Sequence, residues 1–258
     1  MSEPNWYDEA EMYDIAFDWD TAPEVECLRR LFTRWVPRPV RTVYEPFCGA
    51  GRLALPLARA GFRVVGADLN PAMLSLGAKK AAAAGIDMEL AHADVCEFAP
   101  PCEAVVTLID SFRHLPIATA ARALKLWARA CGAAAEQRGR QGVIVIGLGI
   151  AKDDTDPSPV EDWEVSRGGV AVRTVVEMIQ GADPEVEVMH ATMHVRHPDG
   201  STRQVSTRSP MARYTYERFE TLVGTCGLRI AQCLAWNHIA REEVETRSGS
   251  VVAVLVGA

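Results

Sequence analysis

No Cys-x-x-Cys pair occurs among the 258 residues, although cysteines stand at 27, 48, 96, 102, 131, 226 and 233. The odd count and the missing pairs argue for free thiols in a reducing compartment and against a disulfide framework. An apolar run long enough to span a bilayer is also missing. The opening MSEPNWYDEAEMYD has no apolar signal core, so a cytoplasmic, membrane-free protein of bacterial type is expected. Positive charge is in deficit, with 27 Lys+Arg against 34 Asp+Glu and a net charge of −7. No nucleic-acid partner is expected from such a surface, because phosphate binding needs a basic one, although a local basic groove remains allowed. Internal repeats are absent, and alanine enrichment on helices is the only compositional bias.

What is present is ordinary for a globular chain: 48% apolar and 24% charged residues, enough for a full core without staples. Residues 1–40 read as an N-terminal helical cap. Trp6, Tyr7, Tyr13, Phe17 and Trp19 supply aromatic surface, and a capping box of Thr21 and Glu24 starts a helix that Pro37 ends. Residues 41–160 alternate short strands with helices, including an Ala-rich helix over roughly 118–137 and a very apolar strand over 142–148. That succession predicts a doubly wound, mostly parallel α/β sheet. Residues 161–208 carry four β-prone runs separated by turn residues, hence an antiparallel insertion beside the mouth of the sheet, enclosing a ligand or building a dimer face. Residues 209–258 return a helix and two closing strands. The histidines at 190, 194 and 197 cannot all share one strand face, and Asp153, Asp154 and Asp156 lack the rest of a calcium loop, so no metal is expected.

The chemistry-bearing stretch is Glu45-Pro-Phe47-Cys48-Gly49-Ala50-Gly51-Arg52, between the first strand and first helix. A glycine turn there lets the backbone approach a ligand closely. Alone it is as compatible with a bare tight turn as with binding. Three acids shift the balance: Asp68, Asp94 and Asp110 follow the second, third and fourth strands, at the sheet edge where such folds bind ligands. Asp68 suits two ribose hydroxyls and Asp94 an adenine amino group. Glu45 and Pro46 are poor neighbours for a pyrophosphate but comfortable beside a cation. The electrostatics therefore favour S-adenosylmethionine over a nicotinamide dinucleotide.

From Val43 to about Leu115 the chain resembles the class I S-adenosylmethionine-dependent methyltransferases, and the likeness extends over about 200 residues. Glu45-Pro-Phe47-Cys48-Gly49-Ala50-Gly51 is similar to the family's first motif, with Phe47 where glycine or alanine is commoner. Asp68-Leu69-Asn70-Pro71-Ala72-Met73 resembles its ribose segment, Asp94-Val95 its adenine segment, and Ile109-Asp110-Ser111-Phe112-Arg113-His114 the segment beside methionine and acceptor. The resemblance implies that these positions hold S-adenosylmethionine and release S-adenosylhomocysteine, with a small-molecule N or O acceptor as partner. Tyr7, Tyr13, Phe112, His114, Arg213 and Tyr214 are the candidates for the acceptor side, and His114 is the best placed base. A methyl transfer needs alignment and dryness more than a base, so no decisive catalytic signature is expected. A nicotinamide-dependent oxidoreductase, a non-catalytic module that binds the same donor and a macromolecular methyltransferase acting on RNA or protein are the rival readings.

Overall fold

The computed structural model describes residues 5–133, 141–236 and 243–258. A short turn at Trp6–Asp8 leads into α1 (Ala10–Ala16) and α2 (Ala22–Trp35). The expected capping box does not form. The Asp20 carboxylate accepts the Ala22 N–H instead, and Glu24 turns inward to pair with Arg52. An ion pair out of water outweighs one exposed capping bond.

Five parallel strands follow: β1 (Thr42–Pro46), β2 (Arg63–Asp68), β3 (Glu89–His92), β4 (Ala104–Thr107) and β5 (Val143–Ala151). The helices between them are α3 (Ala54–Arg59), α4 (Pro71–Ala83) and α5 (Ile117–Cys131). The Ala-rich helix stops earlier than 137. Gly132 takes the left-handed conformation that ends α5, and residues 134–137 lie outside the described residues. Alternate residues of β5 face two cores. Ile144, Ile146 and Leu148 pack with Leu124 and Trp127 of α5, whereas Val143 and Val145 pack with Leu28, Leu31 and Phe32 of α2. Burial on both faces is why this strand reads as a continuous apolar run.

The chain then leaves the sheet to build a second, antiparallel one: β6 (Glu161–Arg167), β7 (Val170–Gln180), β8 (Val186–Arg196) and β9 (Thr202–Ala212). The last strand runs past residue 208 to Ala212. It returns through β10 (Tyr214–Thr215), which pairs with the end of β5. Helix α6 (Tyr216–Thr225), β11 (Leu228–Ala235) and β12 (Gly249–Gly257) complete the core. The resulting order is β11-β12-β5-β4-β1-β2-β3, with β12 antiparallel to both its neighbours. No described helix is long and apolar enough to cross a membrane.

Two couplings hold these parts together. The inner face of the second sheet (Val172, Val176, Ala191, Met193, Val205) shares one apolar cluster with Trp6, Met12, Ile15 and Phe17 of the N-terminal segment. At the sheet junction Glu187, 1% exposed, accepts from Arg113 at 2.6 Å and from Arg213 at 2.8 Å. Removing that carboxylate takes the close counter-charge from the buried Arg213 and leaves Arg113 with Asp110 alone. Glu187→Ala is therefore expected to cost about 3–5 kcal/mol of unfolding free energy, measured by urea denaturation; a loss below 1 kcal/mol would show the pair is dispensable.

Candidate functional site

The turn after β1 uses backbone conformations that L-residues rarely adopt. Phe47, Gly49 and Gly51 have φ of +60°, +51° and +78°. The loop lies flat against β2, where a Cβ on Gly66 would come within 2.7 Å of the Cys48 sulfur. Only glycine at 66 allows that approach. Asp68, at the end of β2, accepts the Gly49 N–H on Oδ2 and the Asn70 N–H on Oδ1, both at 2.8 Å. Asn70 caps α4 with its side-chain oxygen. Its Nδ2 donates to the Tyr7 carbonyl and to Asp8 Oδ1, each at 3.0 Å. The N-terminal segment is thus tied directly to the strand-end motif.

Glu45 is buried, and its Oε2 has no hydrogen-bond partner. Burial pushes its carboxyl up to about 8, with the charges of Glu24 and Asp68 adding to the rise and Arg52 opposing it. Arg52 is already engaged, since its two terminal nitrogens meet Glu24 at 3.0 and 2.9 Å. A buried carboxyl with an empty lone pair and a committed neighbouring cation is a receptor for another cation.

Across the sheet edge the turn after β4 is strained at two consecutive residues, Ile109 (φ +49°) and Asp110 (φ +62°). The β-branched Ile109 makes this a costly conformation, about 1–2 kcal/mol. The surroundings enforce it: Asp110 accepts the Gly149 N–H at 2.5 Å and an Arg113 N–H at 3.1 Å. The next turn of chain brings His114 Nε2 to 2.8 Å from the Tyr7 hydroxyl. Burial pulls His114 down to about 4 against the opposing Asp110 charge, so its ring is neutral at pH 7. Burial also raises the Tyr7 and Tyr13 phenols. Glu45, Asp68, Asp110, His114, Tyr7 and Tyr13 all line one cavity of about 1340 Å³ between the core, the N-terminal segment and the second sheet.

Residues 43–133 match the family described as Methyltransferase domain. This stretch is a methyltransferase domain. Among solved structures, the whole chain is similar to an S-adenosylmethionine-dependent methyltransferase from Clostridium acetobutylicum, with TM-score 0.74 and 17% identity, covering 98% of this chain and 100% of that one. It is also similar to the sugar N-methyltransferase KedS8 from Streptoalloteichus, with TM-score 0.69 and 21% identity, covering 98% and 94%. A curated relative is a 23S rRNA (uracil(1939)-C(5))-methyltransferase, RlmD, of Acidithiobacillus ferrooxidans, 32% identical over 90 residues. The match takes in 32% of this chain and 20% of that protein, so the chain spans about a fifth of the length of the curated relative.

The methyltransferase domain brings most of the candidate residues together. Phe47, Cys48, Gly49, Ala50, Leu69, Met73, Ile109 and Ser111 line the cavity beside the six named above. Gly51 shapes the turn from behind, its Cα facing Leu55 and Met88. Asp94 and Val95 lie outside the cavity wall. Asp94 closes its own turn by accepting the Cys96 N–H at 2.8 Å, and Val95 is a buried core residue whose carbonyl accepts the Trp127 indole N–H. Three acceptor-side expectations are corrected. Phe112 and Tyr214 stack on each other within the α5/α6 core. Arg213, 1% exposed, spends its guanidinium on Glu187 and on the carbonyls of Asp153 and Asp156. Phe112 follows the cavity residue Ser111, and Arg213 and Tyr214 lie two and three positions after Met211, but all three side chains are buried away from the cavity. Arg52 and Asn70, named within their motifs, join the cavity wall, as do two residues missed from sequence, Glu161 and Trp163. Alternation along β6 was the signal for the last two, since Glu161, Trp163 and Val165 must share a face.

The residues present fit the donor. The unpartnered Glu45 Oε2 suits its ammonium, and the Asp68 carboxylate retains lone pairs for hydroxyl donors. Asp68→Ala is expected to weaken S-adenosylhomocysteine by about 2 kcal/mol, the worth of charge-assisted hydrogen bonds. Calorimetry on a variant whose thermal unfolding shows it folded makes the check, and unchanged affinity would remove Asp68 from the site.

Proposed function

We propose that this chain transfers a methyl group from S-adenosylmethionine to an amine nitrogen of a small molecule. Charge carries the reading. The described wall of the cavity holds nine acidic side chains, at 8, 14, 20, 45, 68, 110, 161, 162 and 164, and the guanidinium of Arg52. Asp14, Asp110, Asp162 and Glu164 also pair with cations outside the wall, and Glu45 is protonated until a cation binds. Such a wall attracts a cation and repels phosphate. Similarity to a sugar N-methyltransferase supports an amine acceptor. Similarity to an rRNA methyltransferase is limited to 90 residues, and the carboxylates disfavour a phosphate backbone at the mouth.

The donor, when bound, supplies an activated methyl on a sulfonium. The acceptor enters as its ammonium and first gives up a proton to water; the freed nitrogen lone pair then forms the new N–C bond as the C–S bond breaks, leaving the electron pair on sulfur and a methylated ammonium. The protein's share is alignment and exclusion of water. The Trp6–Ala16 segment roofs the cavity and is held there by Asn70, by the Tyr7–His114 hydrogen bond and by the Lys80–Asp14 ion pair. His114, near 4, is too weak a base to strip an ammonium. It serves to orient the Tyr7 hydroxyl.

Two outcomes follow from these assignments. Glu45 is protonated in the free protein below about pH 8, and a bound ammonium favours its ionised form. S-adenosylhomocysteine binding is then expected to release a proton below pH 8, with affinity rising at most tenfold per unit and levelling above it. Calorimetry in buffers of different ionisation heat reads that proton, and Glu45→Gln should abolish the slope. Methyl-labelled S-adenosylmethionine offered to a panel of amino sugars, alkylamines and ribosomal RNA should label amines alone. Label in RNA that declines steeply with salt would reverse the reading of the acceptor.

A further inference from the structure

The acceptor half of the cavity has a chemistry that an acidic wall alone does not explain. A donor and a second ligand both fit, because about 1340 Å³ exceeds the roughly 300–1,000 Å³ of ordinary single-ligand pockets. Four aromatic rings of the wall form a continuous box. Tyr13 stacks on Phe17 with centroids 4.4 Å apart, Phe17 meets Trp163 edge-on at 5.5 Å, and Trp19 meets Phe17 at 5.2 Å. Behind the box the second sheet presents sulfur. Met178 and Met189 are paired across β7 and β8, and both line the cavity with Met211. Thioethers adapt to irregular apolar shapes and favour aromatic edges.

On β6, Glu161 stands two residues before Trp163 and therefore on the same face. Partial desolvation at the cavity rim and the negative charge of Asp110 raise its carboxyl, against the pull of Arg113. Two carboxylates that feel each other across a cavity are relieved by a cation between them. Aromatic faces stabilise the same charge by about 0.5–2 kcal/mol and pack against apolar carbon.

We propose that the acceptor is an amine carried on an apolar, ring-sized body, with its nitrogen between Asp110 and Glu161 and its body in the box of Phe17, Trp19 and Trp163 over the methionines. This rests on the methyltransferase reading and narrows it. A free amino sugar offers the charge but leaves the aromatic and thioether wall without an apolar partner.

The test uses the full chain saturated with S-adenosylhomocysteine, whose own binding is measured first. Calorimetric titration compares 2-phenylethylamine with 2-phenylethanol, which lacks the charge, and with glucosamine, which lacks the apolar body. The amine with the ring should bind at least tenfold tighter than either. Glu161→Gln, at an exposed rim position, should remove most of the preference over 2-phenylethanol. Met178→Ala and Trp163→Phe should each weaken 2-phenylethylamine several-fold and leave S-adenosylhomocysteine unchanged; two variants are used because Trp163 also bonds the Ala16 carbonyl. Glucosamine binding as tightly as 2-phenylethylamine, or equal binding of all three, overturns the proposal and spares the methyltransferase reading. Failure of S-adenosylhomocysteine to bind the intact chain overturns both.

Discussion

The structure depends on a chain of charge that runs Asp110–Arg113–Glu187–Arg213, half-buried at Asp110 and buried at the other three. Its members come from the turn after β4, from β8 of the second sheet and from the link back to the core. Each link satisfies a group that burial would otherwise penalise by several kcal/mol. The same chain fixes where the second sheet sits over the first and how Asp110 faces the cavity. Ser158 adds a further donor to Glu187 at 2.8 Å, and the Ala212 carbonyl takes the remaining Arg113 Nε–H at 2.8 Å. The stored backbone strain at Ile109 and Asp110 persists because these partners over-determine it.

Around that anchor the division of labour is physical. The parallel sheet supplies rigid strand ends from which Glu45, Asp68 and Asp110 project. Burial then makes them differ: Glu45 is held up near 8, while Asp68 and Asp110 are committed to backbone N–H groups. The N-terminal segment contributes phenols and rings together with the carboxylates of Asp8, Asp14 and Asp20.

Much of this is legible in the sequence. Strand ends, the glycine turn and the Asn70 cap are local features with strong residue preferences, and four β-prone runs with turn residues between them identified the second sheet. What escaped were directions and distant partners. Arg213 and Tyr214 follow the insertion as a site residue would, yet the register of β10 on β5 turns both inward. The Glu24–Arg52 pair spans 28 residues, and no local pattern marks it. Asp94 shows how one residue serves either role, since a carboxylate able to hold a base also closes its own turn.

The N-terminal segment buries Trp6, Met12, Ile15 and Phe17 against the second sheet. Its ion pairs add to this: Glu9 to Arg203 at 2.6 Å and Asp14 to Arg167 at 2.7 Å. Roof and insertion are therefore one module built from two separated stretches of chain. Any exchange of specificity with a related scaffold must transplant residues 5–20 together with 161–212, because either piece moved alone would meet a foreign apolar surface and leave its own uncovered.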